Sequence, residues 1–174
     1  MTIVLFPGTF DPIHYGHINI ATRAADLFDE VIIAVYAREQ QNILFSPEER
    51  LELAKESFKN IGNISVTTYT GLTVKFARKM GAQAMLRGLR VFSDFEYEFR
   101  MALANNRLDP DIDVIALITD EEHTFLSSTT VREIAALGGD VSSMVPEHVK
   151  QALQKRFNVL GDDQDIVPLT SLRD

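Results

Sequence analysis

The chain has 174 residues, 45% apolar and 24% charged, with no cysteine and a net charge of −8 from 25 Asp+Glu against 17 Lys+Arg. That is the make-up of one globular domain able to bury a core without disulfides. It excludes a thiol nucleophile and Cys-ligated zinc or Fe–S sites, fits a reducing, cytoplasmic setting, and opposes nonspecific binding to nucleic acid or anionic membrane.

In chain order, four compact apolar runs predict strands buried on both faces: Ile3–Phe6, Val31–Val35, Ala84–Leu86 and Val114–Ile118. Ile64–Thr68 alternates and predicts a fifth strand with one wetter face. Each gap between runs can hold a helix. The first helix is expected from about Ile18 to Phe28. Ser46-Pro47-Glu48-Glu49 supplies an N-cap, a Pro at the first helical position and a capping-box Glu; Ser93 to Glu96 and Thr130 to Glu133 repeat that spacing. Leu51, Leu53, Ala54 and Phe58, and later Phe99, Leu103 and Leu108, mark helix faces expected to pack on the sheet. Residues 131–157 predict one or two further helices split by Gly138-Gly139 and Pro146. The expected architecture is therefore α/β: a single doubly wound, Rossmann-like, five-stranded parallel sheet with flanking helices. Residues 1–157 form the domain, and residues 158–174 an acidic, loosely attached tail.

Ligands of such sheets bind beyond the carboxyl ends of the strands. After the first strand comes Pro7-Gly8-Thr9-Phe10-Asp11-Pro12-Ile13-His14-Tyr15-Gly16-His17. Gly8 allows a tight turn, Gly16 lets backbone approach a ligand, and His17 falls in a first helical turn, where free N–H groups favour an anion. Imidazoles there can donate hydrogen bonds to phosphate oxygens as charge grows on them. In the alternative, Asp11 and His14 merely satisfy backbone groups of a polar loop. Arg87 and Arg90 offer planar forks for phosphate, or else ion pairs with Asp94, Glu96 or Glu98. Ser127, Ser128 and Thr129 precede a helix start and suggest a second anion nest, with Thr130 as the simple cap. Phe95, Tyr97 and Phe99 are expected in the core, with no ring assigned to a base.

The first string resembles the [T/H]-x-G-H signature of the nucleotidyltransferases. The runs Leu86-Arg87-Gly88-Leu89-Arg90 with Asp94-Phe95-Glu96-Tyr97-Glu98, and Phe125 to Arg132, narrow the resemblance to the phosphopantetheine adenylyltransferase family. It covers roughly residues 2–157. It implies transfer of adenylyl from ATP to 4′-phosphopantetheine by direct in-line attack, giving dephospho-coenzyme A and pyrophosphate, with His17 as the catalytic residue and Mg²⁺ as cofactor. By position it implies ATP contacts at Thr9, Phe10, His14, His17, Gly88, Leu89, Arg90, Glu98, His123, Thr124, Phe125, Leu126, Ser127, Ser128 and Thr129. Acceptor contacts fall at Thr9, Gln41, Thr73 and Arg87. It further implies a cytoplasmic homohexamer under feedback by coenzyme A. One position departs: the family has a lysine where this chain has Gln41, a neutral amide that gives up the charge-assisted part of a phosphate contact. Two alternatives remain. One is nicotinate-mononucleotide adenylyltransferase, whose loop is similar but which the second run disfavours; the other is a nucleotide-binding homologue without turnover, suggested by Gln41.

Overall fold

A computed structural model describes residues 1–37 and 42–160 of the chain. The strands are β1 (Ile3–Gly8), β2 (Glu30–Tyr36), β3 (Ile64–Tyr69), β4 (Ala84–Leu89) and β5 (Asp113–Ile118); the helices are α1 (Tyr15–Ala25), α2 (Pro47–Phe58), α3 (Thr73–Lys79), α4 (Phe92–Leu108), α5 (Ser128–Ala136) and α6 (Glu147–Leu160). The five strands form one parallel sheet in the order β3-β2-β1-β4-β5. The order reverses between β1 and β4, the switch point at which ligands of such sheets bind.

The run Val4-Leu5-Phe6 shows why these strands read as unbroken apolar stretches. Val4 and Phe6 join the core with α1, α2, α5 and α6, whereas Leu5 joins the opposite core with Ile32, Met85 and the α3 residues Val74 and Ala77. Successive side chains face opposite sides of the sheet, and both sides are covered. Each such side chain, fully buried, contributes roughly 1.5–3 kcal/mol.

Helix boundaries follow local chemistry. At α2 the expected box forms: Ser46 Oγ accepts from Glu49 N (3.2 Å) and Glu49 Oε2 accepts from Ser46 N (2.8 Å). Three other starts differ from the sequence reading. Helix α1 begins at Tyr15, with His14 as its N-cap, so His17 is its third residue. Helix α4 is capped at Val91 and not at Ser93, because the Asp94 carboxylate reaches back to the N–H groups of Arg90 (3.0 Å) and Val91 (3.3 Å). Helix α5 is capped by Ser127, whose Oγ accepts from Thr130 N at 3.0 Å, so Thr130 lies inside the helix. The last helix continues to Leu160, three residues beyond the expected domain boundary.

The largest difference concerns α4. The expectation that Phe99, Leu103 and Leu108 pack on the sheet, and that Phe95, Tyr97 and Phe99 are core, does not hold within this chain. No residue of α4 is buried, Phe92 is 89% exposed, and Phe95 and Phe99 stack on each other at 5.8 Å on the outer face. The apolar period was real, but its partner is not the sheet below.

Candidate active site

The sheet splits at its switch point. Strands β1 and β4 pair only at Val4 with Ala84 and at Leu5 with Met85, whereas the pairing of β1 with β2 runs from Ile3 to Gly8. Pro7 helps end the ladder. Its carbonyl faces β4, where it accepts from Arg87 Nη1 at 2.9 Å, and N–H and C=O of one strand residue point the same way, so the N–H that proline lacks is one β4 would need. Beyond this point the strand ends diverge and a cleft opens.

The loop leaving β1 is shaped by two close approaches. A Cβ on Gly8 would stand 3.0 Å from the Phe10 ring, and Phe10 itself holds φ 51°, a left-handed conformation sustained by complete burial of its ring. That ring meets Phe6 edge-on at 5.6 Å and His17 at 4.9 Å. Phe10 thus serves the site by positioning His17 from the core. The Asp11–Pro12 peptide is cis. Asp11 is buried and accepts from Leu44 N (2.8 Å) and Phe45 N (2.9 Å), so for this residue the backbone-satisfying role holds. Burial raises its carboxyl pKa, opposed by those two bonds and by Arg132 and Arg50. Arg50, 1% exposed, donates to the carbonyls of Thr9 (2.7 Å), Tyr36 (2.8 Å) and Phe45 (3.1 Å), and Arg132 donates to the Asp11 carbonyl. These two arginines, which sequence reasoning missed, lock the loop to β2, α2 and α5.

His14 and His17 stack with ring centroids 3.7 Å apart. A Cβ at position 16 would lie 2.9 Å from His14 Cε1 and 3.0 Å from its Nδ1, so the glycine between the histidines is required by the packed ring. The His14 N–H donates to His17 Nδ1 at 3.3 Å, which leaves the proton of the neutral His17 ring on Nε2. Burial, reinforced by Arg90 and Arg87, holds His17 at a pKa of about 3. Burial likewise holds His14 well below the ordinary value, with His17, Arg90 and His123 adding to the effect. Both rings are neutral at physiological pH, so His17 acts as a neutral N–H donor.

Two lobes make up the cleft. One is lined by Thr9, Phe10, His14, Gly16, His17, Ile20, Gly88, Arg90, Asp94 and Thr119. The other is lined by Tyr36, Tyr69, Leu72, Thr73, Met85, Met101, Ala102, Asn105 and Val114. Pro7, Gly8, Thr9, Arg87, Tyr97 and Glu98 border both and mark the junction. At that junction Arg87 Nε and Nη2 donate to the two oxygens of Glu98 at 2.8 and 2.7 Å. Arg90 pairs with Asp94 through Nε (3.3 Å) and reaches the Leu126 carbonyl through Nη1 (2.7 Å). Of the ion pairs the sequence offered, Arg87 forms the one with Glu98 and Arg90 the one with Asp94. Thr73 Oγ1 is hydrogen-bonded to the Tyr69 hydroxyl at 2.9 Å.

The structure brings most expected site residues together, but not all. Leu89 lines neither lobe and ties β4 to the chain after β5 through its carbonyl, which accepts from Thr119 N at 2.8 Å. None of His123, Thr124, Phe125, Leu126, Ser127, Ser128 and Thr129 lines either lobe. Leu126 is buried, Phe125 is exposed, and Ser128 Oγ donates to the Pro12 carbonyl at 2.9 Å. That segment meets the cleft through Leu126 and Arg90. Gln41 lies outside the described residues. Tyr97, Asp94 and Thr119 line the cleft although the sequence reading did not assign them; the first two stand in the run Asp94–Glu98 that carried the resemblance. Among the described residues no group of three or more His, Asp or Glu side chains is placed to hold a metal ion, and no helix is long and apolar enough to cross a membrane.

Residues 5–134 match the cytidylyltransferase-like family. A phosphopantetheine adenylyltransferase of a Roseiflexus species is 48% identical over 157 residues, 90% of this chain and 98% of that protein. One from Thermomicrobium roseum is 46% identical over 159 residues, 90% of this chain and 95% of its own length. A solved Vibrio parahaemolyticus protein, titled a nicotinate-nucleotide adenylyltransferase, shares the fold with a TM-score of 0.67 at 19% identity, covering 88% of this chain and 99% of its own.

Proposed function

The chain belongs to the phosphopantetheine adenylyltransferases of the cytidylyltransferase-like family, and from that premise we propose that it transfers adenylyl from ATP to 4′-phosphopantetheine, giving dephospho-coenzyme A and pyrophosphate. The observation that carries the reading is the two-lobed cleft whose lobes meet at Thr9, Arg87 and Glu98, beside the histidine-bearing start of α1. A reaction joining two phosphate-bearing substrates needs two chambers and one junction.

ATP occupies the lobe of His17, Gly88 and Arg90. The acceptor lies in the lobe of Tyr36, Tyr69, Thr73 and Met101, where apolar walls suit an unbranched arm and Asn105 and Thr73 suit its amides. Arg87 binds the acceptor phosphate at the junction. An oxygen of that phosphate attacks the α-phosphorus in line; the new P–O bond forms as the bond to the β-phosphate oxygen breaks, and pyrophosphate leaves with the electron pair. The dianionic acceptor needs no general base. Alignment and charge stabilisation supply the catalysis. His17, neutral with its proton on Nε2, donates to the developing charge on the α-phosphoryl oxygens without transferring a proton. Mg²⁺ enters with the substrate as MgATP, held by the triphosphate as this ion usually is.

The proposal extends to assembly and regulation. The outer α4 face, with Phe92, Phe95 and Phe99 exposed, is of the kind that copies of a chain cover for one another, which supports association of copies; their number, six, rests on the family resemblance alone. Coenzyme A, which carries both the nucleotide and the pantetheine moieties, is a ligand for the two lobes together and hence a feedback inhibitor. The absence of cysteine supports a cytoplasmic location. The acceptor assignment is tested by offering 4′-phosphopantetheine and nicotinate mononucleotide in equal amounts with MgATP and weighing the products. Dephospho-coenzyme A is expected; a product containing nicotinate would refute the acceptor.

A further inference from the structure

Four charged side chains line the ATP lobe, and they cancel: Arg87 and Arg90 against Asp94 and Glu98. The two carboxylates are not equivalent. Asp94 is committed to backbone, accepting from the N–H groups of Arg90 and Val91 at the start of α4. Glu98 has no hydrogen-bond partner among the described residues except Arg87, which it grips with both oxygens at 2.8 and 2.7 Å. A two-oxygen contact on one edge of a guanidinium is also how a phosphate binds arginine. The third Arg87 contact, Nη1 to the Pro7 carbonyl, fixes the guanidinium to β1 independently of Glu98.

We propose that Glu98 is an internal competitor of the acceptor phosphate: its carboxylate occupies the Arg87 fork and yields it to the phosphate of 4′-phosphopantetheine, then takes it back from the product. The inference rests on the acceptor reading above and adds how that site is regulated. The competition is biased in the useful direction. The acceptor phosphate enters as a monoester close to dianionic, and transfer makes it one half of a diphosphate carrying a single charge. Glu98 therefore competes poorly against substrate and well against product. A ligand binding only the open fork has its affinity reduced by the fraction of time the fork is closed, so weakening the internal pair strengthens binding.

The test is calorimetric titration of wild type and Glu98→Gln with 4′-phosphopantetheine, with dephospho-coenzyme A, and with pantetheine, which has no phosphate. An amide keeps the shape of Glu98 but loses its charge and one of its two acceptors. The difference between a charged and a neutral hydrogen bond sets an expected fall in Kd of about 5- to 10-fold for the two phosphorylated ligands. Pantetheine should bind both proteins equally. Unchanged or weaker binding of the phosphorylated ligands by Glu98→Gln, or equal tightening for pantetheine, would overturn the proposal. Failure of wild type itself to bind 4′-phosphopantetheine would instead overturn the acceptor reading. Should Glu98→Gln not fold, Glu98→Asp, one methylene shorter and unable to keep both contacts, is expected to tighten binding about twofold; no tightening there counts equally against the proposal.

Discussion

His14 is 3% exposed and stacked on His17, and its depressed pKa makes acid a specific threat to the fold. In the unfolded chain its imidazole takes a proton near pH 6.5; in the folded protein burial refuses it. Between those two values the unfolded state binds more protons, so stability is full above about pH 6.5 and is lost as pH falls below it. At pH 5 the cost is at most that of withholding a proton 1.5 units below the free value, about 2 kcal/mol for His14. His17, held at about 3, obeys the same sign, but its ring stands at the cleft wall and contributes less. The perturbation is His14→Gln, read by urea unfolding at pH 7 and pH 5. The substitution carries its own cost at both pH values and cancels in the difference, as does the opposing contribution of Asp11, whose raised pKa is common to both proteins. Wild type should lose more than the variant between pH 7 and pH 5, by up to about 2 kcal/mol, a midpoint difference of at most about 1 M urea for a slope of about 2 kcal/mol/M. Equal losses in the two proteins would refute the argument that burial keeps this ring neutral.

Three further outcomes are expected. His17→Ala should lower turnover by roughly 10²–10³ with a smaller effect on ATP binding, as when one donor aimed at transition-state charge is removed; steady-state kinetics and ATP titration check both halves, and a folded variant with near-wild-type turnover refutes the role. Arg87→Lys should weaken the acceptor kcat/KM by about tenfold or more although charge is kept, because an ammonium cannot make the two-point contact; equality of Lys with wild type, where Ala is impaired, would reduce Arg87 to a point charge. Gly16→Ala, whose new Cβ meets the His14 ring at 2.9 Å, should lose about 1–3 kcal/mol of stability and displace His17; thermal melting and turnover should fall together, and an unaffected protein would mean that the ring has room to move.

Much of this was legible in the residues because burial on both faces leaves a plain mark. Val31–Val35 reads as an interior strand since no polar side chain has anywhere to go, and Ser46-Pro47-Glu48-Glu49 spells a helix start in one local string. The loop after β1 was legible too, since close approach of the Phe10 and His14 rings requires glycine at positions 8 and 16. What escaped depended on partners distant in sequence. The period of Phe95, Phe99 and Leu103 marks an apolar face but not what covers it. Asp94 caps α4 from inside the helix, so the Ser93 spacing gave the wrong start. Nothing in the residues around Arg50 marks it for burial, yet it is buried on three carbonyls contributed by segments up to 41 residues away.

The central claim is adenylyl transfer to 4′-phosphopantetheine, and pyrophosphate release tests it most directly. With MgATP and 4′-phosphopantetheine both present, pyrophosphate should appear in step with dephospho-coenzyme A, one for one, and omission of either substrate should abolish it. Pyrophosphate formed without the acceptor, or none with both substrates bound, would contradict the account.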